Sequence, residues 1–525
     1  MSVAASGEDI RVAAEEHRAT GESWLRRHSE LFALAIVAMG FGIRILLAQG
    51  RSLTGDEAVH FLLASLPRSL DIYRASLNNA HPPLFFLLLH FWIRLGSSEF
   101  FLRLLPATLG GAFLWVAYRW TLSLYGKSAA LVTLVLLSFS PALVALSAEV
   151  RDYTLLLLLM AAALLLFERS LEKLSPLRVV ASAAFLSLAI LTHYSAFFVA
   201  LALWVYGFVR LRRGRLPAGF VRTWAACQAG VGVLCFWLAA THVADLRGSS
   251  LERLVMTRML RPEYFQADQD RLLDFLFRQT AAVFRFLCGS AAAGAVACVL
   301  AVVGLVILVL KRNASALLLA LPFLFAAGAS LLDVYPYGGT RHSVFLLLFA
   351  SAAIGVALSA LSAGRLWPAV VLVAVLAPVC LSTALGAPER QSARRMRAAV
   401  EGFRAAAPAG SLLFMDLETG RLLEYYLERK AWTMHGQGLQ DFWESSAGGY
   451  RIRGTPMWNT TEYLLGNELQ RFVDVYRIPA GQAIWVIHVG PGYNLASAVS
   501  RRFPGAVIRA ASRLDELSFV EAVLP

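Results

Sequence analysis

Charge is scarce in this chain. Only 16% of its 525 residues are Asp, Glu, Lys or Arg, while 58% are hydrophobic and the mean hydropathy is +0.60. Soluble domains carry about a quarter charged residues, so the composition excludes a soluble globular protein and calls for a polytopic membrane protein. Cysteine is sparse as well. Its five copies (Cys227, Cys235, Cys288, Cys298, Cys380) all lie in apolar runs, which excludes a disulfide framework or a zinc cluster. No Gly-rich phosphate loop followed by Lys-Ser/Thr occurs, and no internal repeat or low-complexity tract is present. No cleavable signal peptide is expected. The first thirty residues are polar and charged, and the first apolar run is too long for a signal core and lacks a small-residue cleavage site.

What charge there is leans basic, with a net +13. It falls in short loops between apolar runs and in the tail rather than on one face, so the positive-inside bias accounts for it without nucleic acid. Apolar runs of spanning length occur near 31–49, 104–122, 129–147, 153–168, 177–192, 196–211, 222–241, 283–310, 314–332, 343–362 and 367–386. These predict about eleven spans. Arg26-Arg27, Lys127, Arg169 to Arg178, the Arg-rich run 210–215, Lys311-Arg312 and Arg365 then share one side, the cytoplasmic side by that bias. The apolar stretch Leu84–Leu95 is short for a span and reads as a partly inserted helix, with Pro82 and Pro83 in its first turn. Counting it as a span would put the Arg-rich loops outside.

The other side receives polar groups at the ends of spans: Asp56, Glu57, His60, His81, Glu149, Arg151, Asp152, Tyr153, His193, Tyr194, Tyr335, Tyr337, Arg341 and His342. Taken singly, such an Arg is more often a snorkelling anchor and such a His-Tyr an interfacial belt pair. Their recurrence on one side, and the adjacent carboxylates Asp56-Glu57 directly after the first apolar run, point to a catalytic mouth. The 242–282 loop reads as an amphipathic lid on the membrane. From about Arg390 the composition changes. Strand-like runs at 411–416 and 483–489 and a helical stretch over 420–430 predict a small α/β domain on the outer side. The expected organisation is a cytoplasmic segment 1–30, a membrane domain 31–388 with an outer loop 50–103, and an outer α/β domain 389–525.

Sidedness restricts the chemistry. The cytoplasmic loops are short and offer no domain for a nucleotide, and soluble nucleotides are not expected outside. A transferase on the outer face would draw its donor from the membrane. A lipid-phosphate-linked donor fits, with Arg151, Arg341 and His342 to hold its phosphate and a carboxylate to take a proton from an incoming hydroxyl.

These residues also resemble a known family. Gly55-Asp56-Glu57-Ala58-Val59-His60-Phe61, His81-Pro82-Pro83-Leu84, Arg103-Leu104-Leu105-Pro106-Ala107, Ser147 to Tyr153, Thr192-His193-Tyr194 and Gly339-Thr340-Arg341-His342 run in the same order as in the C superfamily of glycosyltransferases. The likeness is to the family of protein O-mannosyltransferases and the bacterial aminoarabinose and galacturonic acid transferases, and it covers residues 30 to about 345. It implies a polytopic α-helical enzyme of the inner membrane with a small C-terminal α/β domain. Such an enzyme moves a sugar from a polyprenyl phosphate to a glycan, lipid or protein acceptor, usually with inversion. The resemblance makes Asp56 the catalytic base, and Glu57 its support or a group that shapes the acceptor site. It carries Glu149 and Arg151 to the second outer loop and Arg341 to the donor-phosphate arginine, and His342 stands where an aromatic residue is common. His60, His81, Tyr153, His193, Tyr194 and Tyr337 complete the expected substrate site. No metal is expected to be required, although Asp56 and Glu149 are the candidate ligands if a divalent ion is used.

Two other readings compete. A transporter or flippase also has many spans, but tends to show repeated halves and mid-membrane charges at broken helices. An oligosaccharyltransferase would carry a Trp-Trp-Asp signature, which this chain lacks. The sequon Asn459-Thr460-Thr461 carries no weight.

Overall fold

The structure is a computed structural model. It describes residues 23–525 except 78, 80, 215, 245–259, 435–441, 459, 491–493 and 514–515. The sequon asparagine, part of the expected lid and most of the N-terminal segment therefore lie outside the described residues.

In chain order the long elements are α1 (Ser29–Ala48), α2 (Gly55–Ala64), α3 (Ser69–Leu77), α4 (Leu84–Trp92), α5 (Glu99–Phe139), α6 (Pro141–Ser147), α7 (Tyr153–Lys173), α8 (Pro176–Ile190), α9 (Ala196–Arg213) and α10 (Ala218–Leu238). Then come α11 (Leu272–Cys288), α12 (Ala291–Leu310), α13 (Ser315–Leu331), α14 (Leu346–Leu361), α15 (Trp367–Gly386) and α16 (Ser392–Ala406). Among the described residues six helices are long and apolar enough to cross a membrane: those starting at Ser29, Glu99, Tyr153, Ala218, Ala291 and Trp367. The apolar helices α8, α13 and α14 are shorter.

The apolar pattern and the helix ends part company at breakers. The runs read as 104–122 and 129–147 form one helix, α5, with a bend at Gly126 (φ 79°), followed after Ser140 by α6. The run read as one span over 283–310 is two helices, separated at Gly289 (φ 70°). Glycine takes this left-handed conformation without a Cβ penalty, and apolar composition alone does not report the turn.

The chain packs as two compact units: residues 1–47, 77–85 and 103–386 in the first, and 48–76, 86–102 and 387–525 in the second. The first is helical. One of its buried polar groups explains a break in the helices. Arg44, 1% exposed within α1, donates to the carbonyl oxygens of Gly40 (2.9 Å), Ser138 (2.9 Å) and Leu137 (3.1 Å) and to Ser147 Oγ (3.0 Å). The last carbonyls of α5 have no partner within their helix, and Pro141 has no N–H to offer. The guanidinium satisfies carbonyls there.

At one end of this unit the loops expected to be cytoplasmic meet. Arg26 donates to Gly364 O (2.8 Å), Lys127 to Arg26 O (3.0 Å), Ser128 to Arg365 O (2.7 Å) and Arg213 to Arg312 O (3.1 Å). Nearby in sequence, Glu168 is buried and pairs with Arg210 at 3.2 Å. The loops of the opposite set come together separately, as the next section describes.

The second unit is built on a six-stranded mixed sheet in the order β2-β3-β1-β4-β6-β5. Its elements are β1 (Leu412–Asp416), α17 (Leu417–Leu423), β2 (Trp443–Ala447), β3 (Tyr450–Thr455), α18 (Glu462–Tyr476), β4 (Ala483–Val489), α19 (Leu495–Arg502), β5 (Val507–Arg513) and β6 (Leu517–Val523). β1 is central, parallel to β3 and β4, and fully buried. Strands covered on both faces read as continuous apolar runs, which is why β1 and β4 were legible. Leu413 and Met415 face a core with Met396, Phe403, Trp443, Trp485 and Phe519. Leu412 and Phe414 face the other core, with Leu469, Phe472, Val486, Val499 and Val520.

Candidate functional site

In the first unit, four segments that lie far apart in sequence converge. The His81-Pro82-Pro83 segment is tied to the turn after α8 by Leu84 N–H donating to Leu191 O at 3.0 Å. His81 Nδ1 lies 3.2 Å from Asp152 Oδ2. Arg151 donates to His81 Nε2 at 3.4 Å and to the Tyr153 hydroxyl at 3.3 Å, with its guanidinium 5.5 Å from the Tyr153 ring centre. Arginine only donates, so Nε2 of His81 accepts, and in the neutral ring Nδ1 carries the proton toward Asp152. Arg151, Asp152 and Tyr153 are all buried.

His193 completes the centre. Its ring lies 5.4 Å from that of His81, 5.6 Å from Tyr153, 6.4 Å from Tyr335 and 6.5 Å from His342. Ser195 N–H donates to His193 Nδ1 at 3.2 Å, so in the neutral ring the proton sits on Nε2. Burial pushes His193 down to about 4, against the pull of Asp152 and with the help of His81, Arg151 and Arg341. Burial likewise pushes His342 well below its usual range, with His193 and Arg341 adding to the effect. Both rings are neutral at pH 7. The Tyr335 hydroxyl donates to His342 O at 3.0 Å and fixes the 335–342 turn. The cluster thus holds two guanidiniums, one carboxylate and neutral imidazole donors, a cationic and hydrogen-bonding arrangement suited to a phosphate.

Not every expected residue joins it. The Tyr337 hydroxyl bonds to Thr280 at 2.7 Å and its backbone N–H donates to Glu263 O at 3.0 Å, a structural tie to α11. Tyr194 is bound to His242 Nδ1 through its hydroxyl. Glu149 is half-buried in the turn before Arg151, where its carbonyl accepts the Arg151 N–H at 2.8 Å. Conversely, Asp152 and Tyr335 lie at the centre of the cluster, although the resemblance gave them no role. Their signal in the sequence was position: both close loops on the same predicted side as Arg151 and Arg341.

The second unit holds Asp56, Glu57 and His60, and α2 explains their arrangement. Thr54 is its N-cap. Thr54 Oγ1 accepts the Glu57 N–H at 3.3 Å, and Glu57 Oε2 accepts the Thr54 N–H at 2.9 Å, a complete capping box. Glu57 is fully buried and its carboxylate is committed to that cap. Asp56, in the same first turn, is half-buried. His60 donates from Nδ1 to Asp56 O at 2.8 Å and packs its ring 5.0 Å from Phe86.

The segment leading into α2 is stitched to the sheet domain. Gly50 O accepts Ala393 N–H (3.0 Å), Ser52 N–H donates to Ser392 Oγ (2.8 Å), and Leu53 N–H donates to the Tyr426 hydroxyl (3.0 Å). Phe61 meets Tyr425 edge-on at 4.9 Å. Gly50 has φ +73°, and a Cβ there would fall 1.8 Å from Arg390 O.

Comparison with known proteins follows the same lines. The family described as dolichyl-phosphate-mannose-protein mannosyltransferase matches residues 80–240. Among solved structures, ArnT from Cupriavidus metallidurans bound to undecaprenyl phosphate is 14% identical, with a TM-score of 0.51 over 93% of this chain and 98% of that one. The oligosaccharyltransferase of Archaeoglobus fulgidus in its apo form is 12% identical, with a TM-score of 0.48 over 89% of this chain and 70% of that one. No curated protein matches the chain in sequence. At such identities the likeness to ArnT is one of fold.

Proposed function

We propose that this chain, whose residues 80–240 match the mannosyltransferase family model and whose fold is like that of ArnT, is a membrane glycosyltransferase of the C superfamily that moves a sugar from a polyprenyl-phosphate donor to a hydroxyl acceptor, with inversion, on the outer face of the inner membrane. The observation that carries the proposal is the cluster of Arg151, His81, Asp152, His193 and His342 with Arg341 in the first unit. Undecaprenyl phosphate, bound in the ArnT structure that shares this fold, supports a lipid phosphate as the group it holds.

In this reading Asp56 takes the proton from the acceptor hydroxyl as its oxygen attacks the anomeric carbon. The bond from that carbon to the phosphate oxygen breaks, and the phosphate leaves with the electron pair. Removing the attacking proton contributes about 10²–10⁴-fold. Fixed positive charge at the leaving phosphate acts where negative charge develops, and a site shielded from water strengthens it. Arg151 and Arg341 supply that charge. His193 and His342, neutral at pH 7, supply N–H donors and add no charge. Asp152 orients His81 through its Nδ1. Glu57 supports Asp56 by fixing the turn rather than by reacting. This reading requires no metal ion; loss of transfer on chelation would reassign Asp56 and Glu149 as ligands.

The test is sugar transfer in proteoliposomes loaded with a panel of polyprenyl-phosphate sugars. Asp56→Asn lowers transfer by about 10²-fold or more, and Arg341→Ala raises the donor KM. A protein that consumes no donor, with Asp56→Asn behaving as wild type in every assay, overturns the enzyme reading and leaves transport across the bilayer to be tested.

A further inference from the structure

We propose that Glu418, on the C-terminal sheet domain, is a positioning residue for Asp56: it fixes the first turn of α2 through Gly55 and controls the charge balance around the Asp56 carboxylate. The inference rests on the reading of Asp56 as the base.

The contact is close and specific. The Glu418 carboxyl lies against Gly55, the residue before Asp56, and the Gly55 N–H favours its charged form. A Cβ at Gly55 would fall 2.6 Å from Glu418 Cγ, 2.7 Å from its Oε1 and 2.8 Å from the Trp458 ring. Only glycine lets backbone and carboxyl approach this closely. The adjacent acids are otherwise engaged. Glu57 is committed to Thr54. Asp416 accepts Thr419 N–H (2.8 Å), Thr460 N–H (3.3 Å) and the Thr460 hydroxyl (2.6 Å), and lies 3.5 Å from His488 Nε2.

Glu418 lies just beyond the carboxyl end of β1, between the parallel strands β3 and β4. Open α/β sheets present their sites at that end.

The groups acting on Glu418 are Asp416 at the end of β1, Asp56 on α2 and the Gly55 N–H. His488 on β4 stands at Asp416, and Arg421, one turn along α17, is bound to Glu424. Burial first, then the two neighbouring carboxylates, push Glu418 up to about 7. The Asp56 charge thus bears on the Glu418 carboxyl, and like charges so placed oppose ionisation of Glu418. Near pH 6 Glu418 holds its proton and adds no charge beside Asp56. Above pH 7 Glu418 ionises and like charges face each other across the first turn of α2, although the ionised carboxylate holds the Gly55 N–H more strongly.

The experiment measures transfer by the full-length protein in proteoliposomes from pH 5.5 to 9, using the same donor panel, for wild type, Glu418→Gln, Glu418→Ala and Asp56→Asn. Glutamine keeps an acceptor for Gly55 N–H and cannot ionise. The expected result is a wild-type profile that declines through a step near pH 7. Glu418→Gln lacks that step and keeps transfer within about 3-fold at pH 6. Glu418→Ala lowers kcat by about 10-fold at unchanged donor KM.

A second readout covers failure of the alanine variant to fold: Glu418→Gln raises Tm over wild type at pH 8 and not at pH 5. A Gln profile that retains the step, with Asp56→Asn inactive, overturns this inference alone. Full transfer by Asp56→Asn overturns the base reading, and the positioning role falls with it.

Discussion

Two adjacent acidic residues, identical in charge and one position apart, have different surroundings. Asp56 and Glu57 both follow the N-cap of α2. Residue spacing decides which of them the helix uses: the third helical position carries the capping-box acid, and here that is Glu57. The sequence alone showed an acidic pair and resembled a family with a catalytic aspartate, which made Glu57 a supporting group. In the structure the Glu57 carboxylate accepts the Thr54 N–H and caps α2. Glu57→Ala leaves the Thr54 N–H without its acceptor and costs about 1 kcal/mol. The expected outcome is a lower Tm with a modest loss of kcat, against near-abolition in Asp56→Asn. Equal loss of kcat without a change in Tm would mean that Glu57 takes part in the chemistry.

At the scale of elements, polar groups that look costly in an apolar run have structural work. Arg44 lies within α1, where a charge is by default a functional signal. In the structure it closes the ends of α5 and α6 by serving the Leu137 and Ser138 carbonyls and Ser147 Oγ. Arg44→Leu leaves those acceptors without it at a cost on the order of 3 kcal/mol. Thermal inactivation in detergent should come several degrees earlier, with donor KM unchanged in the surviving enzyme. The same lesson holds for 283–310. An apolar run reports burial in lipid or core, and Gly289 at φ +70° decides that it is two helices.

At the scale of the whole molecule, the division into units cuts across sequence order. Residues 48–76 and 86–102 pack with 387–525, some three hundred positions away. A pH dependence of stability follows from that second unit. Burial pushes Glu418 and Glu424 each up to about 7, Glu424 against the pull of Arg421. In the unfolded chain such carboxyls titrate near 4.3. The native state therefore binds more protons between those values, so stability falls as pH rises from about 4.5 to 7 and levels off above. Tm at pH 8 should lie below Tm at pH 5.5, and the double variant Glu418→Gln/Glu424→Gln should flatten the difference. An unchanged slope in that variant would place the titrating groups elsewhere.

By itself the sequence determined the membrane-protein class, the helical character of residues 30–386, the appended α/β domain and the order of the motifs. Each is a local property: apolar runs long enough to span, loop charge, and buried strands such as β1 and β4 that are apolar on both faces. It also placed Arg151, His193, Arg341 and His342 on one predicted side, because span ends alternate. The tertiary structure decided the rest. The edge strands β2 and β5, and β3 and β6 beside them, carry mixed patterns that only their pairing explains. Tyr337 and Tyr194 turn to Thr280 and His242, while Asp152 and Tyr335 enter the cluster, since side-chain direction at a loop depends on neighbours distant in sequence. That Glu418 reaches Gly55 is a contact across more than 360 residues. No local pattern encodes it, because it depends on how the chain folds back on itself.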